Sequence, residues 1–216
     1  GTVVSTGGTA GTLTLSGTST VSGAVAGLTT LNAGATGETA TFNSTVAATN
    51  LEVSGTGNVA LNGSFTGQLD LNNNAATVTF ADNANLTGTI VGTGGTAGTV
   101  TFAGTSTISS TVAGVTTINA GANGETVTFS GTVAATNLEL SGTGAITLAD
   151  TFTGILDMNN KAGTVTLADN AGITGTVIST GGTAGTLTLS GTSTISSTVS
   201  GLTTINAGAT GDTATF

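Results

Sequence analysis

The sequence predicts an all-β fold, a parallel β-helix whose short strands wind into stacked coils, and three observations carry that prediction. A motif recurs every 87 residues, apolar residues alternate with threonine, and glycine punctuates the chain at intervals too short for helices. TGGTAGT stands at Thr6–Thr12, Thr93–Thr99 and Thr180–Thr186, and about two-thirds of the positions agree between the first two copies. Differences at apolar positions are swaps such as Val3/Ile90, Leu28/Val115 and Phe80/Leu167, which keep an apolar residue facing the same way. The chain therefore reads as one solenoid with repeat 1 at 1–87, repeat 2 at 88–174 and a partial repeat 3 at 175–216.

Eighty-seven residues are too many for one supersecondary unit, so each repeat must hold several coils. Alternation and glycine-marked turns divide it into four, which in the second copy run 89–114, 115–136, 137–154 and 155–175. Each carries a similar middle strand: GTVTFAG, ETVTFSG, GAITLAD and GTVTLAD. Within them Val100 and Phe102 share one face, and Thr99 and Thr101 the other, the two-residue period of a half-buried strand. Abundant β-branched residues and the absence of a 3.6-residue stripe exclude helices. The whole chain thus makes about ten coils at ~4.8 Å each, with one repeat rising about 19 Å. The crossover preference of parallel strands predicts a right-handed winding. The sequence stops at Phe216 after a TATF strand whose earlier equivalents continue, and the expected partner there is a further stretch of the same column, in this chain or another copy.

Composition narrows the chemistry. The chain has no Cys, His, Pro, Trp or Tyr, one lysine and no arginine, and a net charge of −9. Histidine and cysteine, the usual acid–base and transition-metal ligands, are thus missing, and the expectation is no enzyme, no catalytic residues, no bound cofactor and no metal ligand set. One cation, Lys161, makes no basic footprint for nucleic acid or anionic lipid. No apolar run approaches the ~20 residues of a membrane helix, so no membrane insertion is expected of this segment. Apolar residues make up 37% of the chain in regular places, enough to build a core.

Four surface features are candidates for function. Thr-x-Thr pairs at Thr12/Thr14, Thr39/Thr41, Thr77/Thr79, Thr99/Thr101, Thr126/Thr128, Thr164/Thr166, Thr186/Thr188 and Thr213/Thr215, if stacked, form a two-column grid with ~7 Å and ~4.8 Å spacings, similar to the flat threonine faces of ice-binding solenoids. Threonine is also simply a good exposed-strand residue, and Asn58/Ala60 and Ala145/Thr147 interrupt the grid. Carboxylates recur as Glu38, Glu125 and Asp212, and as Asp82 and Asp169, too far apart in equivalent copies to act on one bond. Glu52 with Asp70, and Glu139 with Asp157, fall at like positions of consecutive coils and are expected to stack about 5 Å apart. The expectation is solvated acids that keep rods apart, with calcium between the pairs as the alternative; no calcium-loop signature is present. The string GTGGTAG at Gly92–Gly98 fits G-x-G-x-x-A, but a strand and not a helix is expected after it, so it reads as a glycine-rich bump suited to lateral contact. Sequons at Asn43, Asn62 and Asn85 are replaced by Ser130, Ala149 and Gly172 in the second copy and read as incidental, whereas Asn32, Asn119 and Asn206 recur at a strand end, where stacked amides satisfy turn backbone.

The strings GTVTFAGTSTISSTVAG and TTINAGANGETVTFSGTVAATNLELSGTG resemble the repeat regions of bacterial autotransporter passenger domains, with rickettsial surface antigens and β-strand-repeat adhesins the nearest in texture. The resemblance covers the whole chain and implies an exported, cell-surface or fibrous β-solenoid. The aromatic-girdled strands of a translocating membrane barrel are absent from this sequence. The functional expectation is an extracellular structural solenoid that builds a fibre, stalk or surface coat. The second is an adhesin whose repeat face binds a host, carbohydrate or ice surface.

Overall fold

The computed structural model describes residues 1–8, 10–208 and 211–216. Among them the chain is all-β, with parallel strands that stack in about ten coils and with no helix. Thr9, in the first TGGTAGT string, lies outside the described residues.

Each turn has three sides, and inward side chains form a column on each. On face one Val3, Val25, Val46, Phe65, Leu86, Ile108, Phe129, Leu148, Leu167 and Leu189 are successive partners. Face two stacks Leu13, Leu31, Leu51, Leu69, Ile90 and Val112, and continues through Phe152 to Ile195. Face three runs from Ala40 through Val59, Val78, Val100, Ile118, Leu138 and Leu156 to Val177. The columns meet along the axis and leave most members fully buried. Phe80 and Phe102 stack with ring centroids 5.1 Å apart, and Phe129 meets Phe102 edge-on at 5.7 Å, joining faces three and one across the interior.

The register revises the size of the repeat. Ile90 lies on face two between Leu69 and Val112, but its equivalent 87 residues later, Val177, lies on face three beside Leu156 and Val199, and Val3 lies on face one beside Val25. Leu13, Val100 and Leu187 step through faces two, three and one in the same way. One repeat is therefore not four coils but thirteen sides, four turns and one side more. Successive copies are related by a rotation of a third of a turn and a rise of about 21 Å, and the pattern returns to the same face only after three copies and about 62 Å.

Side length sets this phase. From one inward column to the next the chain takes ten steps across the glycine-rich loop (Ile90 to Val100), then six (Val112 to Ile118), five (Val133 to Leu138) and four (Phe152 to Leu156) on the turns that follow. The register shifts fall at these corners, between Val112 and Val115 and between Ala134 and Asn137. The shortest corner needs glycine. Gly154 has φ +140°, and a Cβ on it would strike the carbonyl oxygen of Ala135 in the preceding turn; Gly175, stacked on it at φ +139°, would strike the carbonyl oxygen of Gly154.

Two outcomes follow from this geometry. A Thr107→Cys/Thr128→Cys pair, register partners on face one, forms a disulfide under mild oxidation. A Thr101→Cys/Thr128→Cys pair, which a four-coil repeat would stack, stays reduced on a non-reducing gel, because those residues sit on faces three and one. Gly154→Ala lowers the thermal midpoint, at a cost of at least about 1 kcal/mol in stability by denaturant titration.

Candidate functional site

The threonine pairs do not build one grid. Thr12/Thr14 and Thr213/Thr215 belong to face two, Thr39/Thr41, Thr77/Thr79 and Thr99/Thr101 to face three, and Thr126/Thr128, Thr164/Thr166 and Thr186/Thr188 to face one. The one-side excess of the repeat causes this, because it carries each copy's threonines onto the next face. The longest row runs down face one, where Thr107, Thr128, Thr147, Thr166 and Thr188 are consecutive partners without a register shift. It ends at Asn206, whose Nδ2 donates to Thr188 Oγ1 at 3.4 Å. Asn119 donates to Thr101 at 3.3 Å and Asn32 to Thr14 at 3.1 Å in the same way. These asparagines thus bond a threonine hydroxyl of the preceding turn and not the turn backbone the sequence suggested.

The carboxylate pairs stack as their spacing predicts, for Glu52 is the register partner of Asp70 and Glu139 of Asp157. Their surroundings are those of structural acceptors. Asp70 is only 4% exposed, and its Oδ1 accepts the backbone N–H of Asn72 at 2.8 Å and of Thr93 at 2.9 Å while the Thr93 hydroxyl donates to Oδ2. Asn72 Nδ2 donates to Glu52 at 2.6 Å, so the neighbouring carboxylate is bonded as well. Asp157 repeats the arrangement with the N–H of Asn159 at 2.7 Å and of Thr180 at 2.8 Å. Burial of a carboxylate is offset here by donors aimed at its charge, which makes these charge-assisted bonds.

A second set of acids bonds threonines on neighbouring turns. Asp82 accepts the Thr105 N–H at 2.9 Å, and the Thr105 hydroxyl donates to Glu125 at 2.6 Å on the turn beyond. Asp169 accepts the Thr192 N–H at 2.9 Å, and Thr18 donates to Glu38 at 2.5 Å. Asp70 and Asp82 close one repeat, while Thr93 and Thr105 open the next, each threonine 23 residues ahead of the acid it bonds. The aspartates thus clasp copy to copy, Asp70 where the glycine-rich loop leaves the ladder and Asp82 at the corner after Phe102. The sequence pointed to the acids and not to their partners. The available signal was the constant 23-residue offset from Asp to Thr, present at Asp70/Thr93, Asp82/Thr105, Asp157/Thr180 and Asp169/Thr192. Among the described residues no group of three or more acidic side chains converges as a metal site would require.

The G-x-G-x-x-A string is followed by the strand Ala97–Phe102, so no helix N-terminus faces it. Gly94 and Gly95 lie exposed over the turn at Asn73, with φ of +86° and +157°. Beneath the loop the shortening corners leave a shallow recess, lined in repeat 1 by Gly27, Ala48, Thr49 and Gly67 and in repeat 2 by the equivalent Gly114, Ala135, Thr136 and Gly154.

Removing one clasp tests its weight. Asp70→Ala, which leaves the Thr93 and Asn72 donors without their acceptor, costs about 1–3 kcal/mol in urea unfolding. Asp70→Asn keeps the Oδ1 acceptor and costs less, and added calcium leaves the wild-type melting temperature unchanged.

Compared with protein-family models, curated proteins and solved structures, the chain has no match.

Proposed function

We propose that this chain is part of an extracellular structural solenoid that builds a fibre, stalk or cell-surface coat. The observation that carries the reading is the join between copies. Three apolar columns run through successive repeats without a break, and Asp70 and Asp82 of one copy accept hydrogen bonds from Thr93 and Thr105 of the next. Bonds spent in this way stiffen a rod. The reading assigns the protein no catalytic step. Its partners are further repeats of its own kind, and its place is outside the cell, in keeping with the resemblance to passenger-domain repeats.

The alternative is an adhesin that binds through its repeat face. The row from Thr107 to Thr188 on face one favours it, being regular and free of charged side chains at its five positions. A flat ligand, however, meets equivalent threonines only on every third copy, because intervening copies point a third of a turn away. That spacing favours the scaffold.

Electron microscopy and fibre diffraction of the native material test the choice. Filaments with a ~4.8 Å meridional reflection and an axial period of about 21 Å, with a longer period of about 62 Å, are the expected outcome. Short isolated rods that bind a ligand saturably overturn the scaffold in favour of the adhesin.

A further inference from the structure

The three Asn-x-Ser/Thr triplets of repeat 1 come together on one edge of the rod. Strands Thr39–Phe42, Asn58–Leu61 and Thr77–Phe80 stack on face three, and the segments that leave them for face one carry Asn43, Asn62 and Asn85 on three successive turns. All three asparagines are exposed, as are Thr45 and Thr87, the hydroxyl residues of the first and third triplets. Their amides differ. Asn62 Nδ2 donates to Asn43 Oδ1 at 2.8 Å, which uses the nitrogen of Asn62 and only the oxygen of Asn43. Asn85 also engages its oxygen, accepting the Thr107 N–H at 2.7 Å. The nitrogens of Asn43 and Asn85 make no hydrogen bond among the described residues. Asn85, which stacks over Ser64 and not over Asn62, lies two turns, about 10 Å, further along the axis than Asn43 and at the other end of the corner.

We propose that Asn43 and Asn85 are acceptors for N-linked glycans, with Asn62 as the bonded spacer between them. The new bond joins Nδ2 to the anomeric carbon of a sugar supplied by an activated glycosyl phosphate or pyrophosphate donor; the phosphate leaves with the bonding electron pair, and Nδ2 gives up one proton. Side-chain oxygens that already accept bonds hold each amide on the edge, and the two-turn gap admits two hydrated sugar chains where adjacent turns would crowd them. Repeat 2 carries Ser130, Ala149 and Gly172 at these positions, so of these two repeats only the first is decorated. The inference rests on the extracellular reading, since sugar transfer to such triplets accompanies export.

Glycopeptide mass spectrometry of protein from its native source, digested with a protease that cuts beside aliphatic residues, provides the test. Expected are sugar-sized mass increments on the peptides that contain Asn43 and Asn85, an unmodified Asn62, and conversion of those two asparagines to heavy-oxygen-labelled aspartate by a peptide N-glycosidase in labelled water. Asn43→Gln and Asn85→Gln each remove one glycan and leave the β-sheet circular dichroism unchanged. Unmodified Asn43 and Asn85, or sugar on Asn62 in their place, overturn the assignment. Immunogold labelling of intact cells reports location separately, so a surface rod without sugars sinks the glycan proposal and leaves the scaffold reading standing.

Discussion

Backbone hydrogen bonds along the axis fix the spacing between turns, and the rest of the molecule accommodates them. In a parallel ladder each strand must present its donors and acceptors to the turn above and the turn below, so residues can be gained or lost only at corners. The sides of this rod obey that rule. Thr99–Phe102 keeps register with Thr77–Phe80 residue for residue, while the adjoining corner varies from ten steps to four. The apolar columns are a consequence, because fixed register places every second side chain inward at the same height above its predecessor. Hydrophobic burial then stabilises what the ladder has aligned, and the stack Phe80, Phe102, Phe129 shows how densely it does so.

Corners carry the distinctive features of the surface as a result. The ten-step corner throws out the glycine-rich loop, and the four-step corner requires Gly154 and Gly175 to pass under a carbonyl of the turn before. Asp70, where the loop leaves the ladder, and Asp82, at the corner after Phe102, supply acceptors for N–H groups of the next turn, replacing bonds between backbones with bonds to carboxylates. A rod with a net charge of −9 has thus used two of the acids of its first repeat as internal fasteners, not only as solvated charge.

The acids and threonines were visible in the sequence as residues that recur, and the stacking of Glu52 on Asp70 followed from their positions in consecutive coils. Their partners were not visible. Thr93 and Thr105 are 23 residues from the aspartates they bond, and only the closure of a full turn brings each pair together. The single threonine grid was likewise a reasonable expectation from recurrence, and it failed because recurrence in sequence does not specify azimuth.

By itself the sequence determined that this is a parallel solenoid, which side chains point inward, and about how many turns there are, since alternation and glycine spacing are local properties that survive any choice of register. Only the tertiary structure decided the phase. Whether 87 residues close on four turns or on four and a third depends on adding the corners together, and a corner of four, five or six steps leaves the pattern of the flanking strands unchanged. Backbone closure around the core selects among those lengths. With that selection, three copies of one motif look outward in three directions.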